Sequence, residues 1–169
     1  MTSMTKLTCC AMLGCAAMLL PSKARAADDN DKKFLATASQ ANVDEIKLSA
    51  LAEEKATNPA VKAFAKKMVT EHHEIGDHMK PFADSWGMTP PDTMDADHQK
   101  EWDKLNGLSG KDFDKEYIDE MVTDHTKALS LFTTEAKDTK DVKFRAAVLK
   151  AKTKVAAHKN MAYDLKKKL

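Results

Sequence analysis

Three histidines and one glutamate fall where a folded chain should want apolar side chains: Glu45, His72, His125 and His158. Each interrupts a stripe of hydrophobic residues that recurs with helical spacing. Two of them sit in nearly repeated surroundings, Met68-Val69-Thr70-Glu71-His72 and Met121-Val122-Thr123-Asp124-His125, with an aromatic four residues before each methionine (Phe64 and Tyr117). A buried polar group without a partner costs about 1–3 kcal/mol, and a buried carboxylate costs more. One shared site would relieve all four at once. Three neutral imidazoles and a carboxylate are a sound ligand set for a single divalent metal such as zinc, iron, manganese or copper. Glu71, Asp124 and Glu135 stand close by as acceptors for the outer N–H groups of the rings. The plain alternative is a metal-free, hydrogen-bonded cluster whose histidines only fix packing. His73 and His78 fall off the stripe, and His98 lies in a connecting segment.

The elements that must position these groups are four long helices. The first starts in Asp28-Asp29-Asn30-Asp31, acidic as suits a helix N-terminus, and runs to about Ala56 with the stripe Phe34, Ala38, Ala41, Glu45, Leu48, Ala52. Asn58-Pro59 pairs an N-cap with a proline at the first helical position. The second helix then runs to Trp86, where Gly87 offers a left-handed cap, and Pro81 should kink its last turns or start a new segment. Its stripe is Val61, Ala65, Met68, His72, Ile75, Met79. A long connection from Met88 to Gly110 holds Thr89-Pro90-Pro91 and a short helix from Ala96 to Leu105. The third long helix follows from about Lys111 to Lys137 with Ser109 as its cap, carrying Ile118, Met121, His125, Ala128 and Phe132. A tight turn over Asp138 to Asp141 leads into the fourth, with Phe144, Val148, Ala151, Val155, His158 and Ala162. Stripes spaced by threes and fours predict nearly parallel helices packed knobs-into-holes, so the fold expected is an all-α four-helix bundle. Counted from the turns at about 1.5 Å per residue, the four polar exceptions lie at similar depth.

Residues 1–26 read as an export signal to be removed: Lys6, an apolar run from Leu7 to Leu20, and the small-x-small site Ala24-Arg25-Ala26. Gly14-Cys15 hints at lipidation, but Met12 and Leu13 suit that signal poorly. The domain proper is then 27–169, periplasmic or secreted, with no membrane-spanning segment after cleavage. Cys9, Cys10 and Cys15 all lie in the removed segment, which leaves no disulfide, thiolate metal site or cysteine nucleophile. It also carries three basic and no acidic residues, so 24 basic face 26 acidic residues in the remainder. That balance gives no reason to expect nucleic acid as a partner.

The chain resembles an exported bacterial family, that of the domain of unknown function numbered 4142, placed in the ferritin-like superfamily. The resemblance rests on Phe34-Leu35 with Glu45-Ile46-Lys47-Leu48, on Asn58 to Ala65 leading to Met68-Val69 and Glu71-His72, on Leu105 to Phe113, on Met121-Val122 with Asp124-His125, and on His158. It implies an envelope-associated helical bundle, with the long connection between helices 2 and 3 serving as a ferritin-like crossover, and brings no activity. Ferritin-like di-iron proteins carry Glu-x-x-His on two helices, whereas Val69, Val122 and Val155 occupy those positions here. No other catalytic arrangement stands out. The expectation is therefore a non-enzymatic protein of envelope metal handling or stress tolerance that binds one divalent metal through Glu45, His72, His125 and His158. The competing expectation is a structural or interaction module with an unknown protein partner.

Overall fold

A computed structural model describes residues 28–169; the expected export signal lies outside the described residues. The described chain is all-helical, with five helices and no strand: α1 (Asp29–Lys55), α2 (Pro59–Ser85), α3 (Ala96–Asn106), α4 (Gly110–Asp138) and α5 (Val142–Lys166). None of these helices is long and apolar enough to cross a membrane.

Local chemistry sets most of the boundaries. Asp28, Asn58, Asp95 and Asp141 each accept a hydrogen bond from the first-turn backbone of the helix they precede. Ser109 holds the corresponding position before α4 but makes no side-chain cap bond, and Gly110 enters the helix at φ 58°. Beyond Ser85, Gly87 adopts φ 67°, and the Met88 amide returns to the Ala83 carbonyl at 2.9 Å. That closure is the left-handed stop its sequence position suggested. No new segment starts at Pro81: α2 continues through it to Ser85. The last turns of α2 are held by aromatic packing, with Phe82 and Trp86 placing their rings 5.0 and 4.7 Å from that of Phe144.

Helix α1 packs against α2 and α4, and α5 against α4 and α2, so the four long helices close a ring. The core inside it is split in two. One apolar cluster gathers Leu48, Val61, Met68, Phe113, Met121 and Ala162; the other gathers Phe34, Ile75, Phe132, Phe144, Val148 and Val155. α1 and α5 therefore run from the second cluster to the first, and α2 and α4 run the opposite way. Residues between α2 and α4 must carry the chain from one end of the core to the other. In that stretch Met88 packs on the second cluster, while Met94, Trp102 and Leu105 pack on the first.

The junction of α1 and α2 is tied to α4 by Asp114, which is 2% exposed. Its carboxylate accepts from the Thr57 amide at 3.0 Å, the Thr57 hydroxyl at 2.7 Å and the Asn58 amide at 2.9 Å. Replacement by alanine removes the acceptor of all three donors. Hydrogen bonds to a charged group contribute about 1.5–3 kcal/mol, so Asp114→Ala should lower unfolding free energy by about 3 kcal/mol. Urea denaturation measures this; a loss below about 0.5 kcal/mol, the level of an ordinary surface change, would refute the tie.

Candidate metal centre

Between the two apolar clusters each long helix turns a polar group inward, at Glu45 on α1, His72 on α2, His125 on α4 and His158 on α5. All four are buried. The three imidazoles meet. Their ring centroids lie 5.5, 5.2 and 5.3 Å apart, and one ring nitrogen of each falls within 4.8 Å of those of the other two.

Each ring is held by its outer nitrogen. His125 Nδ1 donates to the Met121 carbonyl one turn back at 2.9 Å. His72 Nδ1 donates to Asn42 Oδ1 on α1 at 3.0 Å. His158 Nε2 donates to Glu71 Oε2 at 2.6 Å. Gly76 makes room for the second of these, since a Cβ there would stand 3.3 Å from Asn42 Nδ2. With those protons committed outward, a neutral ring keeps only a lone pair on its other nitrogen. The Nε2 atoms of His72 and His125 face each other at 3.4 Å, and His158 Nδ1 is buried without a partner. A hydrogen bond between the two Nε2 atoms would require one ring to be an imidazolium.

The electrostatics oppose that. Burial pushes His72 well below its ordinary 6.5, and the neighbouring rings push it further. His125 is lowered to about 3, again by burial first and His158 second. Burial also lowers His158, although Glu71 pulls the other way. Burial works against ionising Glu71, yet hydrogen bonds from Lys67 and His158 hold it at about 2. Three lone pairs thus point at one another with no proton to share. Two nitrogens bound at 2.0–2.1 Å to one tetrahedral zinc stand about 3.4 Å apart, which is the spacing of the facing pair. The residues fit a transition metal, and the outer acceptors are those that orient imidazole ligands.

Glu45 is placed differently. Its Oε1 lies 3.5 Å from His125 Nδ1, at the outward edge of that ring, so it is not among the three converging nitrogens. Burial raises its pKa well above the usual carboxylate value, as do the charges of Asp124, Asp44 and Glu101. Of the three acceptors expected nearby, only Glu71 serves an imidazole of the trio. Asp124 faces His98, and Glu135 is drawn to Asp31.

His98 is what sequence reasoning missed. It is half-buried on α3, with Nδ1 2.9 Å from Asp95 Oδ2 and 3.2 Å from Asp44 Oδ2. The available signal was Asp95-Ala96-Asp97-His98, an N-cap acid three residues before a histidine, in a segment set aside as a connection.

Residues 17–165 match the family described as "Domain of unknown function (DUF4142)". The chain belongs to that family. No curated protein matches it. Among solved structures it is similar to a DUF305 fragment from Deinococcus radiodurans at 14% identity and TM-score 0.75, over 85% of this chain and 99% of that one. It is similar to CopM in a Cu(II)-bound form at 19% identity and TM-score 0.70, over 82% and 96% of the two chains. CopM also has Ag-bound and Cu(I)-bound structures. A DUF305 protein from Streptomyces coelicolor follows at 15% identity and TM-score 0.69, over 80% and 91%. At such identities the likeness is one of fold.

Proton linkage gives a test of the imidazole layer. An unfolded histidine takes up its proton near 6.5, while folded His125 does so at about 3. The folded state therefore binds fewer protons across that interval, and the stability present above pH 6.5 is lost as pH falls. Glu135 has the opposite sign. It is raised from 4.5 to about 7, first by burial and then by its hydrogen bond with Asp31, so its contribution is present at low pH and lost as pH rises through about 7. Both chains carry Glu135, so comparison isolates the rings. Between about pH 7.5 and 5, a window around the histidine reference, wild-type melting temperature should fall relative to a His72→Gln/His125→Gln double variant. Parallel curves would place the acid sensitivity elsewhere.

Proposed function

We propose that this protein is an exported, periplasmic or secreted metal-binding protein that holds one transition-metal ion through His72 Nε2, His125 Nε2 and His158 Nδ1. In this reading the ring of long helices is a ferritin-like four-helix bundle with residues 86–109 as its crossover, and residues 1–26 are the cleaved signal. The observation that carries the proposal is the facing Nε2 pair at 3.4 Å, whose two Nδ1 atoms are both already engaged as donors. A cation is the simplest partner for lone pairs aimed at one another in a layer that disfavours imidazolium.

The ligand chemistry narrows the ion. Imidazole suits zinc, copper and iron, and three such ligands leave a position open. CopM, a structural neighbour, has Cu(II)-, Cu(I)- and Ag-bound forms, which supports testing copper and silver beside zinc, iron and manganese. Glu45 belongs to this reading as the carboxyl group behind His125, 3.5 Å from its Nδ1. A role in envelope metal handling or stress tolerance follows from binding without turnover. The cluster offers neither an activated nucleophile nor the Glu-x-x-His pairs of di-iron oxidation, so the protein is proposed to be non-enzymatic.

The test is metal loading of the chain beginning at Ala27, purified without a histidine tag. Incubation with the softer ions Cu(I) or Ag(I), followed by gel filtration and elemental analysis, should give about one ion per chain. The His72→Gln/His125→Gln variant should drop below about 0.1 per chain while keeping its helical circular dichroism, since two of three ligands are gone. Wild-type loading below that level with every ion would leave the histidines as packing residues and favour the interaction module.

A further inference from the structure

A second group of ligating side chains lies beside the imidazole layer, where α3 docks across α1 and α4. His98, Glu101 and Asp124 each offer one atom within 4.8 Å of the others. We infer that these three residues form a second cation site, one imidazole nitrogen with carboxylate oxygens, built for a harder divalent ion such as Mn(II) or Fe(II). This goes beyond the three-imidazole reading and does not depend on it.

The geometry of His98 is that of a prepared ligand. Asp95 caps α3, its Oδ1 accepting from the amides of Asp97 and His98, both at 2.9 Å. Its other oxygen takes the His98 Nδ1 proton at 2.9 Å. One side chain thus starts the helix and fixes the ring. A metal-bound histidine is commonly oriented this way, with its second N–H given to a carboxylate. Nε2 is then directed at Asp124 Oδ2, 3.9 Å away. That distance is too long for a hydrogen bond and suits two ligands on either side of one ion.

The oxygens point to the same vacancy of charge. Asp124 is 8% exposed, and its Oδ1 accepts from Lys127 at 2.9 Å, while its Oδ2 is buried without a partner. Glu101 Oε2 and Glu45 Oε2 are likewise buried and unpartnered. A cavity of about 40 Å³ is lined by Glu45, His98 and Asp124 together with His72 and His125. It has room for an ion or a water. The groups facing this site are Asp44, Glu45, Asp95, Glu101, Glu120 and Asp124 against His98 and Lys127. The bland account makes His98 an imidazolium in a salt bridge. A proton on Nε2 would still leave Asp124 out of reach, and it would satisfy neither Glu101 nor Glu45. A divalent ion held by His98 answers the Glu101 and Asp124 oxygens at once. With mostly carboxylate ligands it would differ in preference from the three-nitrogen site, which favours softer ions.

Mn(II) is the probe. The free ion has a strong paramagnetic resonance signal that is lost on binding, and bound Mn(II) broadens nearby nuclear resonances. Wild-type protein and the His72→Gln/His125→Gln variant should both bind about one Mn(II) per chain, with the His98 ring signals broadened first. Glu101→Gln and Asp124→Asn should each weaken binding about tenfold or more. Asp95→Asn, which keeps a competent helix cap, should weaken it about 10–100-fold by releasing the ring. Thermal melts followed by circular dichroism confirm that each variant is folded; Glu101 is only half-buried and keeps the test available if Asp124→Asn unfolds. Any of these results would overturn the site: no Mn(II) bound at about millimolar concentration, the affinity limit of weak oxygen-ligand sites; equal affinity in Glu101→Gln and wild type; or a His98 ring that stays sharp and cationic as Mn(II) is added. Binding abolished in the double histidine variant would also overturn it, by placing the ion on the three imidazoles instead.

Discussion

The structure depends on a layer in which acceptors outnumber protons. Four helices bury a glutamate and three histidines between two apolar clusters, and the fold leaves these groups too few donors. Every outer nitrogen is answered, by Asn42, Glu71 and the Met121 carbonyl. The inner nitrogens are not. A buried polar cluster left half-satisfied is worse than an apolar one, which is the physical support for the proposed reading of the layer as a receptor for positive charge. The supporting details serve that end: Gly76 gives Asn42 its approach to His72, and Lys67 and Lys154 keep Glu71 ionised behind His158.

The helices and the trio were legible because both rest on periodicity. A stripe of core residues fixes which way each helix faces, and a histidine on that stripe must then point inward. His72, His125 and His158 met for that reason. Glu45 lay on its stripe as well, but a stripe gives direction and depth only roughly. Its carboxyl ended at the outer edge of His125 rather than among the inner nitrogens. The extent of α2 to Trp86 was legible, but whether Pro81 would start a new segment was left open, and α2 continues through it with Phe82 and Trp86 packed on Phe144 from another helix.

His98 and Asp44, and the pairing of Asp124 with His98 rather than with the trio, escaped for a different physical reason. The two aspartates stand one position before Glu45 and His125, on the flank of the helix rather than its inner stripe, and would be half-solvated in four bare helices. They become buried because α3 lies over them, anchored by Leu105 and Trp102 on the apolar cluster nearby. Nothing periodic in an eleven-residue helix announces where it will dock. The acids on its underside were legible as charges but not as a group.

The separations along the chain behind the imidazole layer have a last consequence. His72 and His125 are 53 residues apart, and Glu71 reaches His158 across 87. No local stretch of the polypeptide can assemble these partners, and loops of that length close only when tertiary packing holds them closed. The three rings therefore come together only when α2, α4 and α5 are packed in one bundle core. An unfolded chain carries the same histidines without the trio. Under the proposed metal-binding function, whichever ions surround the protein at the moment it completes folding are the ones that the layer would first encounter, so the place of folding would act as a filter on its occupancy.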